Sequence, residues 1–429
     1  MIVDSLKNAW KVADLRNKIL FTLLMFLVFR IGAHIPVPFI DRQQLLNLIG
    51  EGTLVSFFDT ISGGAFKSFS VFAMSIAPYI NASIIMQLMQ VIFPKLHELA
   101  KEGDEGRKKI TQYIRYGTVV LGFIQAFGLS VGLLQPALSI SNPSYKWPII
   151  FMISLVLTAG TAFLMWLGEL ITERGIGNGI SLIIFAGIVS RVPDGLKFIL
   201  QSVKAGEASW FSLILLVLIV VAVIAAIVYI QEGQRRIPVQ YAKRVVGRKV
   251  YGGQSTHIPM KVLQAGVIPV IFAISLLAFP QQIATWFPGS GFANFINVWF
   301  SPNGRWTSIP YETMYAALII AFTYFYTGIT FNPLDVADNI KKYGGFIPGL
   351  RPGRPTAEYI GKVLSRITMA GAIFLALIAV LPQIVIGLTG FKNIYFGGTS
   401  LLIVVGVALD SMKQLESHLL MRHYQGFMK

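Results

Sequence analysis

The chain has 429 residues, of which 54% are hydrophobic and only 13% charged, and its mean hydropathy is +0.65. A water-soluble protein of this length carries roughly 25% charged residues, so composition excludes an ordinary soluble domain. A formal charge of +16 raises nucleic acid as a partner until the charges are placed, and the absence of cysteine excludes disulfides, thiolate catalysis and thiolate-bound metal.

Ten charge-free windows follow one another: 19–29, 68–94, 116–145, 147–168, 175–190, 208–231, 262–304, 313–334, 367–391 and 393–409. Most reach the roughly 17–25 residues that a bilayer-spanning helix needs. They predict an all-α polytopic membrane protein with ten transmembrane helices. The start, M-I-V-D-S-L-K-N-A-W-K-V-A-D-L-R-N-K, reads as an amphipathic surface segment, and no small-residue cleavage site follows the first apolar run. Arg30 closes the first window, where its long side chain is expected to reach the headgroups.

The second window has an internal pattern. At the helical period Ile76, Ile80, Ser83, Gln87 and Gln90 lie within about 40° of one line. Unpaired amides are costly in hydrocarbon, so this face predicts water at one end and a dry contact at mid-depth. In the fifth span Glu173 precedes Ile180 and Ile184 on one face, and in the tenth Ile403 and Val407 precede Asp410 and Gln414. Three helices thus share one gradient, apolar at the waist and polar toward one side. Ordinary helix packing, with polar residues drifting to the ends, is the other account of it.

With the N-terminus in the cytoplasm and sides alternating, 27 of the 36 Lys and Arg fall on the cytoplasmic side. The positive-inside rule expects that asymmetry and places both termini in the cytoplasm. Ten spans divide five and five, and an odd number per half inverts the second half relative to the first. Segments 135–147, 191–210, 285–310 and 389–394 face outward with little charge. The inner connections 232–261 and 335–366 are long, basic and rich in Gly and Pro, and their alternation predicts ordered hairpins standing off the membrane. Such projections suit anionic lipid, RNA or an acidic protein surface, although charge serving topology alone explains them equally.

Catalytic chemistry is not visible. No P-loop occurs, and the five histidines show no zinc-ligand pairing; His97-Glu98 lacks the second histidine of H-E-x-x-H. Proton-coupled transport needs ionisable groups near the midplane, and the nearest, Arg30, Glu169, Glu312 and Asp410, stand toward span ends. Neither a catalytic residue nor a cofactor or metal site is predicted.

Long ordered motifs then carry a resemblance: F-R-I-G-A-H-I-P-V-P from Phe29, S-G-G-A-F, A-P-Y-I-N-A-S-I-I-M-Q-L and K-E-G-D-E-G-R-K-K-I-T-Q-Y-I-R-Y-G-T, followed by G-E-L-I-T-E-R-G-I-G-N-G-I-S, G-Q-R-R-I, Y-A-K-R, A-G-V-I-P-V-I-F-A, F-N-P, A-D-N-I-K-K, P-G-L-R-P-G and Y-F-G-G-T-S-L-L-I-V-V. With these the chain resembles the SecY family, the channel subunit of the bacterial Sec protein translocase, over nearly its whole length. Segment 285–310 matches no family pattern.

The resemblance implies an hourglass channel of two inverted five-helix halves, residues 1–190 and 211–429, hinged at 191–210 and opening sideways between the second and seventh spans. Its apolar pore ring falls on Ile76, Ile80, Ile180, Ile184, Ile271 and Ile403, of which Ile271 comes from the resemblance alone. A plug, a short helix closing the outer funnel, falls at about 56–69, where Phe57, Phe58, Ile61 and Phe66 offer apolar cover and Gly63 and Gly64 a flexible break. Asn81, Gln87 and Gln264 become polar gate residues, with helix–helix polar packing as the competing account. Arg235, Arg236, Lys243, Arg244 and Arg351 become docking residues for the ribosome and the SecA motor ATPase. The small membrane subunits SecE and SecG, polypeptides bearing signal sequences, and anionic lipids are the other implied partners, in the bacterial cytoplasmic (inner) membrane. The implied function is passage of unfolded polypeptide across the membrane, with lateral release of hydrophobic segments into it. A small-solute transporter with inverted repeats, and a membrane scaffold that binds ribosomes without conducting, are the readings from other classes.

Overall fold

The computed structural model describes residues 10–41, 43–44, 59, 62–132, 134–138, 143–206, 209–241, 244–246, 249–251, 255–287, 289–300, 308–389 and 398–426. In chain order the first half contains α1 (Ala13–Gly32), α2 (Ala77–Ile92), α3 (Pro94–Lys101), α4 (Asp104–Gly132), α5 (Lys146–Arg174) and α6 (Gly179–Lys204). The second contains α7 (Trp210–Glu232), strands β1 (Gln234–Tyr241), β2 (Arg244–Val246), β3 (Lys249–Tyr251) and β4 (Ser255–Lys261), then α8 (Ile268–Trp286) and α9 (Gly291–Trp299). It ends with α10 (Ser308–Thr330), α11 (Pro333–Lys342), β5 (Gly345–Phe346), α12 (Arg354–Thr389) and α13 (Gly398–Gly426).

The ten spanning helices are α1, α2, α4, α5, α6, α7, α8, α10, α12 and α13, one for each charge-free window. Helices α4, α5, α7, α8, α10 and α12 qualify by length and apolarity alone. The others are short or carry charge, and qualify only within the ten-helix arrangement. Helix α2 departs most from expectation. Window 68–94 predicts one long helix, but helix begins only at Ala77, with Pro78 in its first turn, and is 16 residues long. Proline suits a first turn because its missing N–H is needed by no partner there. Residues 62–76 are turns instead, interrupted by an isolated bridge from Ser70 to Pro36, and Phe69 and Ser75 have positive φ, which no helix accepts.

Several helices outrun their windows. Asp104 and Glu105 open α4 well before its apolar part, where acidic side chains meet the positive helix end. Helix α6 continues past the charged Arg191 to Lys204 because Ile199 and Val203, four residues apart, stay buried against Leu216 and Val385. The connection between the halves is therefore confined to residues 205–209.

One large core joins Phe29, Leu164, Leu167, Val223, Ile227, Ile319 and Leu375 with residues of α2, α6, α8 and α13, so it lies along the axis where the halves meet. A second core sets Phe66 and Phe69 against Ala126, Leu129, Ile153 and Leu157 of α4 and α5. Helix α2 packs on both α4 and α8, and so stands at the seam between the halves.

The basic connections form one platform, not two hairpins. Strands β1 and β4 are an antiparallel pair from Gln234↔Lys261 to Gln240↔Ser255, and β2–β3 continue the same excursion. Residues 335–366, predicted as a second hairpin, supply helix α11 and the short strand β5, which pairs with the other edge of β1 through Gln240↔Phe346. Ile237, Val239 and Met260 need apolar cover, and Ile340, Ile347, Ile360 and Leu364 give it. Burying those groups together decides the helix and edge strand over a free hairpin.

Candidate functional site

Four helices bring together the residues expected at the waist. Ile76, Ile80, Ile184, Ile271 and Ile403 are each 8% exposed or less and belong to the same axial core. Ile76 immediately precedes α2, yet its carbonyl still accepts the Ile80 N–H at 3.1 Å, which keeps the two on one face. Ile180 borders the same core but is only half-buried; a Cβ on Gly168 would lie 2.5 Å from its Cδ1, so it packs on α5 as well. Toward the end that carries the basic loops α13 turns polar, with Asp410 and Gln414 exposed. Glu173, expected on one face with Ile180 and Ile184, instead ends α5, because the chain leaves the helix at Gly175 and a new one, α6, starts only after Asn178. Gln87 donates to Ser83 Oγ at 3.3 Å, as the shared face of α2 requires. Among the described residues no cluster of His, Asp or Glu is arranged to hold a metal.

The segment before α2, expected to be the plug, packs beside this core. Phe57, Phe58 and Ile61 lie outside the described residues; Asp59 and 62–69 are described, and 62–69 is a series of turns. Asp59 organises it. Its Oδ1 accepts the Lys67 N–H at 2.9 Å, and its carbonyl accepts from Ser62 Oγ at 3.2 Å. The carboxylate also pairs with Arg191 of α6. Burial pushes the Asp59 carboxyl up from its ordinary range, opposed by the Lys67 N–H and by the Arg191 and Lys67 charges. Gly63 and Gly64 have φ of +66° and +90°, a region open to glycine at no steric cost. A Cβ on Gly63 would stand 2.8 Å from Ser190 Oγ and 3.1 Å from the Gly187 Cα, so the segment lies directly on α6.

Arg30 corrects one expectation. Its guanidinium does not reach outward to headgroups; it donates to the Gly63 carbonyl at 2.7 Å and to Ser190 Oγ at 3.2 Å. Oriented acceptors inside the fold outcompete a mobile interface for a side chain with a rigid donor fork. A cavity of about 410 Å³ borders this region, lined by Arg30, His34, Lys67, Arg191 and Asp194 among others.

At the seam, Asn81 and Gln264 are half-buried, Asn81 on α2 and Gln264 in the turn that leads into α8. Helix α4 also crosses the seam. A Cβ on Gly128 would collide with the Trp286 indole, and one on Gly132 with the Thr285 carbonyl and the Trp286 backbone. This Gly-x-x-x-Gly notch lets α4 and α8 approach closely, as small-residue stripes do between membrane helices. On the platform Arg235, Arg236 and Arg351 are exposed. Arg244 lies in β2, and Lys243 is outside the described residues.

Reasoning from the sequence assigned Arg30 another partner and passed over Asp59, Ser190, Arg191 and the notch on α4. Two signals were present: an arginine at the end of each of two apolar windows, and the spacing of Gly128 and Gly132.

Buried isoleucines from four helices, exposed polar residues toward the basic loops and a folded-back segment before α2, in two five-helix halves that meet along a seam, are the arrangement of a gated membrane channel. The SecY family profile matches residues 70–412. The protein translocase subunit SecY of Halalkalibacterium halodurans is 51% identical over 434 residues, covering 99% of each chain. Two solved structures share the fold. One is a SecY protein whose plug domain is described as stabilising the closed state of the translocation channel and maintaining a membrane seal (TM-score 0.67, 20% identity, 94% of this chain and 92% of that one). The other is Sec61 in the canine ribosome–channel complex of the endoplasmic reticulum (TM-score 0.64, 19% identity, 94% and 92%). The chain belongs to the SecY family.

Proposed function

We propose that this chain is a protein-conducting channel, through which unfolded polypeptide crosses the membrane or leaves sideways into lipid. The observation that carries this is the waist, where branched aliphatic side chains from α2, α6, α8 and α13 meet in one buried core. A pore that passes every kind of side chain can offer no charge or strong hydrogen bond at its narrowest point. Aliphatic side chains exclude water and ions when the pore is empty and deform around a moving chain. Residues 56–69 act as the plug beyond it, and the α2–α8 seam, with Asn81, Gln87 and Gln264, acts as the lateral gate. A segment of roughly 20 apolar residues partitions through that gate by its own transfer free energy.

The chain does no bond chemistry; direction comes from a partner. Exposed Arg235, Arg236 and Arg351, with Lys243 and Arg244 of the same basic connection, suit the anionic surface of a ribosome or the SecA motor. The ribosome is supported by the fold shared with the canine ribosome-bound channel. SecE and SecG as membrane partners, anionic lipids, the inner membrane as location and cytoplasmic termini extend the same reading, the last supported by the skewed basic residues. The two halves, 1–190 and 211–429, hinge within 191–210, where the break between helices α6 and α7 is 205–209.

The test uses the absence of native cysteine. Single cysteines at Ile80, Ile184 and Ile403 are expected to crosslink to a stalled secretory chain. Crosslinks confined to lipid, or to exposed faces of α12, would refute the pore.

A further inference from the structure

We infer that Asp59 and Arg191 form the latch that holds the plug shut, with Arg30 as its second point, and that the latch belongs wholly to the part of the chain before the break at 205–209, which moves with the first half. The inference rests on reading 56–69 as the plug. Asp59 is fully buried, and the Arg191 side chain that pairs with it is 15% exposed. A buried carboxylate is tolerated only when paired and hydrogen-bonded, and Asp59 has both, through Arg191 and the Lys67 N–H. Arg30 fastens the next turn at the Gly63 carbonyl and ties it to α6 through Ser190, whose hydroxyl donates to the Gly187 carbonyl at 2.7 Å.

Every described polar anchor of the plug lies before residue 205; of its apolar groups, Ala65 enters the axial core that both halves share. Arg30 is on α1 and Arg191 on α6, while Phe66 and Phe69 pack on α4 and α5. Separating the halves at the α2–α8 seam therefore breaks no described ion pair or hydrogen bond of the plug and leaves Phe66 and Phe69 packed, costing it only the small Ala65 contact. The plug moves with the first half, and its release is a second event: parting a buried ion pair beside the cavity that Arg30, Lys67, Arg191 and Asp194 line. Resting seal and lateral opening are separately adjustable.

The experiment uses the full chain in its membrane complex, reconstituted into vesicles loaded with a small anionic dye and given no secretory substrate. D59N and R191Q are each expected to raise efflux on the order of ten- to a hundredfold, the range for a lost hydrogen bond between charged groups. The double variant should leak no more than either single one, because the two remove one interaction. R191K, which keeps the charge but loses the fork, should leak less than R191Q. A cysteine replacing the buried Ala65 (A65C) reports plug position: an impermeant maleimide should label it faster when D59N is added. I403S, at the waist, is the reference variant. Leak from I403S with wild-type efflux and labelling in both latch variants would overturn the latch and leave the pore standing. No leak from any variant would overturn the pore reading and the latch with it.

Discussion

Gly132→Ala is expected to shift the resting channel toward an open seam. The added methyl meets the Thr285 carbonyl and the Trp286 backbone, atoms of α8 that cannot rotate away. Overpacking of this kind costs about 1–3 kcal/mol, and each 1.4 kcal/mol is tenfold, so the closed packing of α4 on α8 loses roughly a factor of 5 to 150. Alanine is also the better helix former, by about 1 kcal/mol. That gain acts on α4 in the closed and open states alike, so it cancels from the gating equilibrium and the collision decides the sign. The Trp286 indole N–H is buried without a partner, so no hydrogen bond from that group adds to the steric fit of the closed seam. The assay is disulfide formation between single cysteines placed across α2 and α8 in the cysteine-free chain, in vesicles without substrate. Crosslinking should slow in G132A and slow less in G128A, whose collision is with a side chain that can turn. Equal crosslinking in wild type and both variants would show that the notch does not hold the gate, and the reasoning fails.

Three further outcomes follow from the same geometry. Ile80→Ser or Ile403→Ser removes a buried aliphatic, worth about 1.5–3 kcal/mol of transfer, and should raise resting conductance in planar bilayers; unchanged conductance counts against the waist. Ile360→Ala opens a cavity beneath the basic platform at a cost of about 2–5 kcal/mol, which limited proteolysis of 232–261 should register as faster cleavage, while resting conductance stays unchanged. Paired R235E and R236E should weaken ribosome binding in sedimentation, with the difference fading at high salt as surface charge is screened; a difference independent of salt would argue for a structural defect.

The folding of the platform illustrates where reading a chain by pattern stops. Alternation in 232–261 was enough to predict a hairpin, because a two-strand pair is a local event. The same signals in 335–366 predicted a second hairpin, whereas burial against β1 selected a helix and a two-residue edge strand. The second window misled similarly. Its lack of charge said nothing about where a helix starts, and Pro78 together with the turns around Phe69 and Ser75 decided that.

Composition and a 100° period suffice for the membrane class, the ten crossings, the crowding of basic residues on one side and the polar-to-apolar run along α2 and α13. Each depends only on neighbours within a few turns. The third such run is a misreading, because the helix break after Arg174 separates Glu173 from Ile180. The sequence motifs, read as a resemblance, added Ile271, which no periodicity marked. Only the folded chain could bring Arg191 to a carboxylate 132 positions earlier, or turn Arg30 inward to a hydroxyl 160 positions later. Charges at the ends of apolar windows look alike in a one-dimensional reading, whether they meet water, headgroups or one another. Which of those partners they find is settled by pairing across the chain, since burial makes an unmatched charge costly and a matched one a fastening.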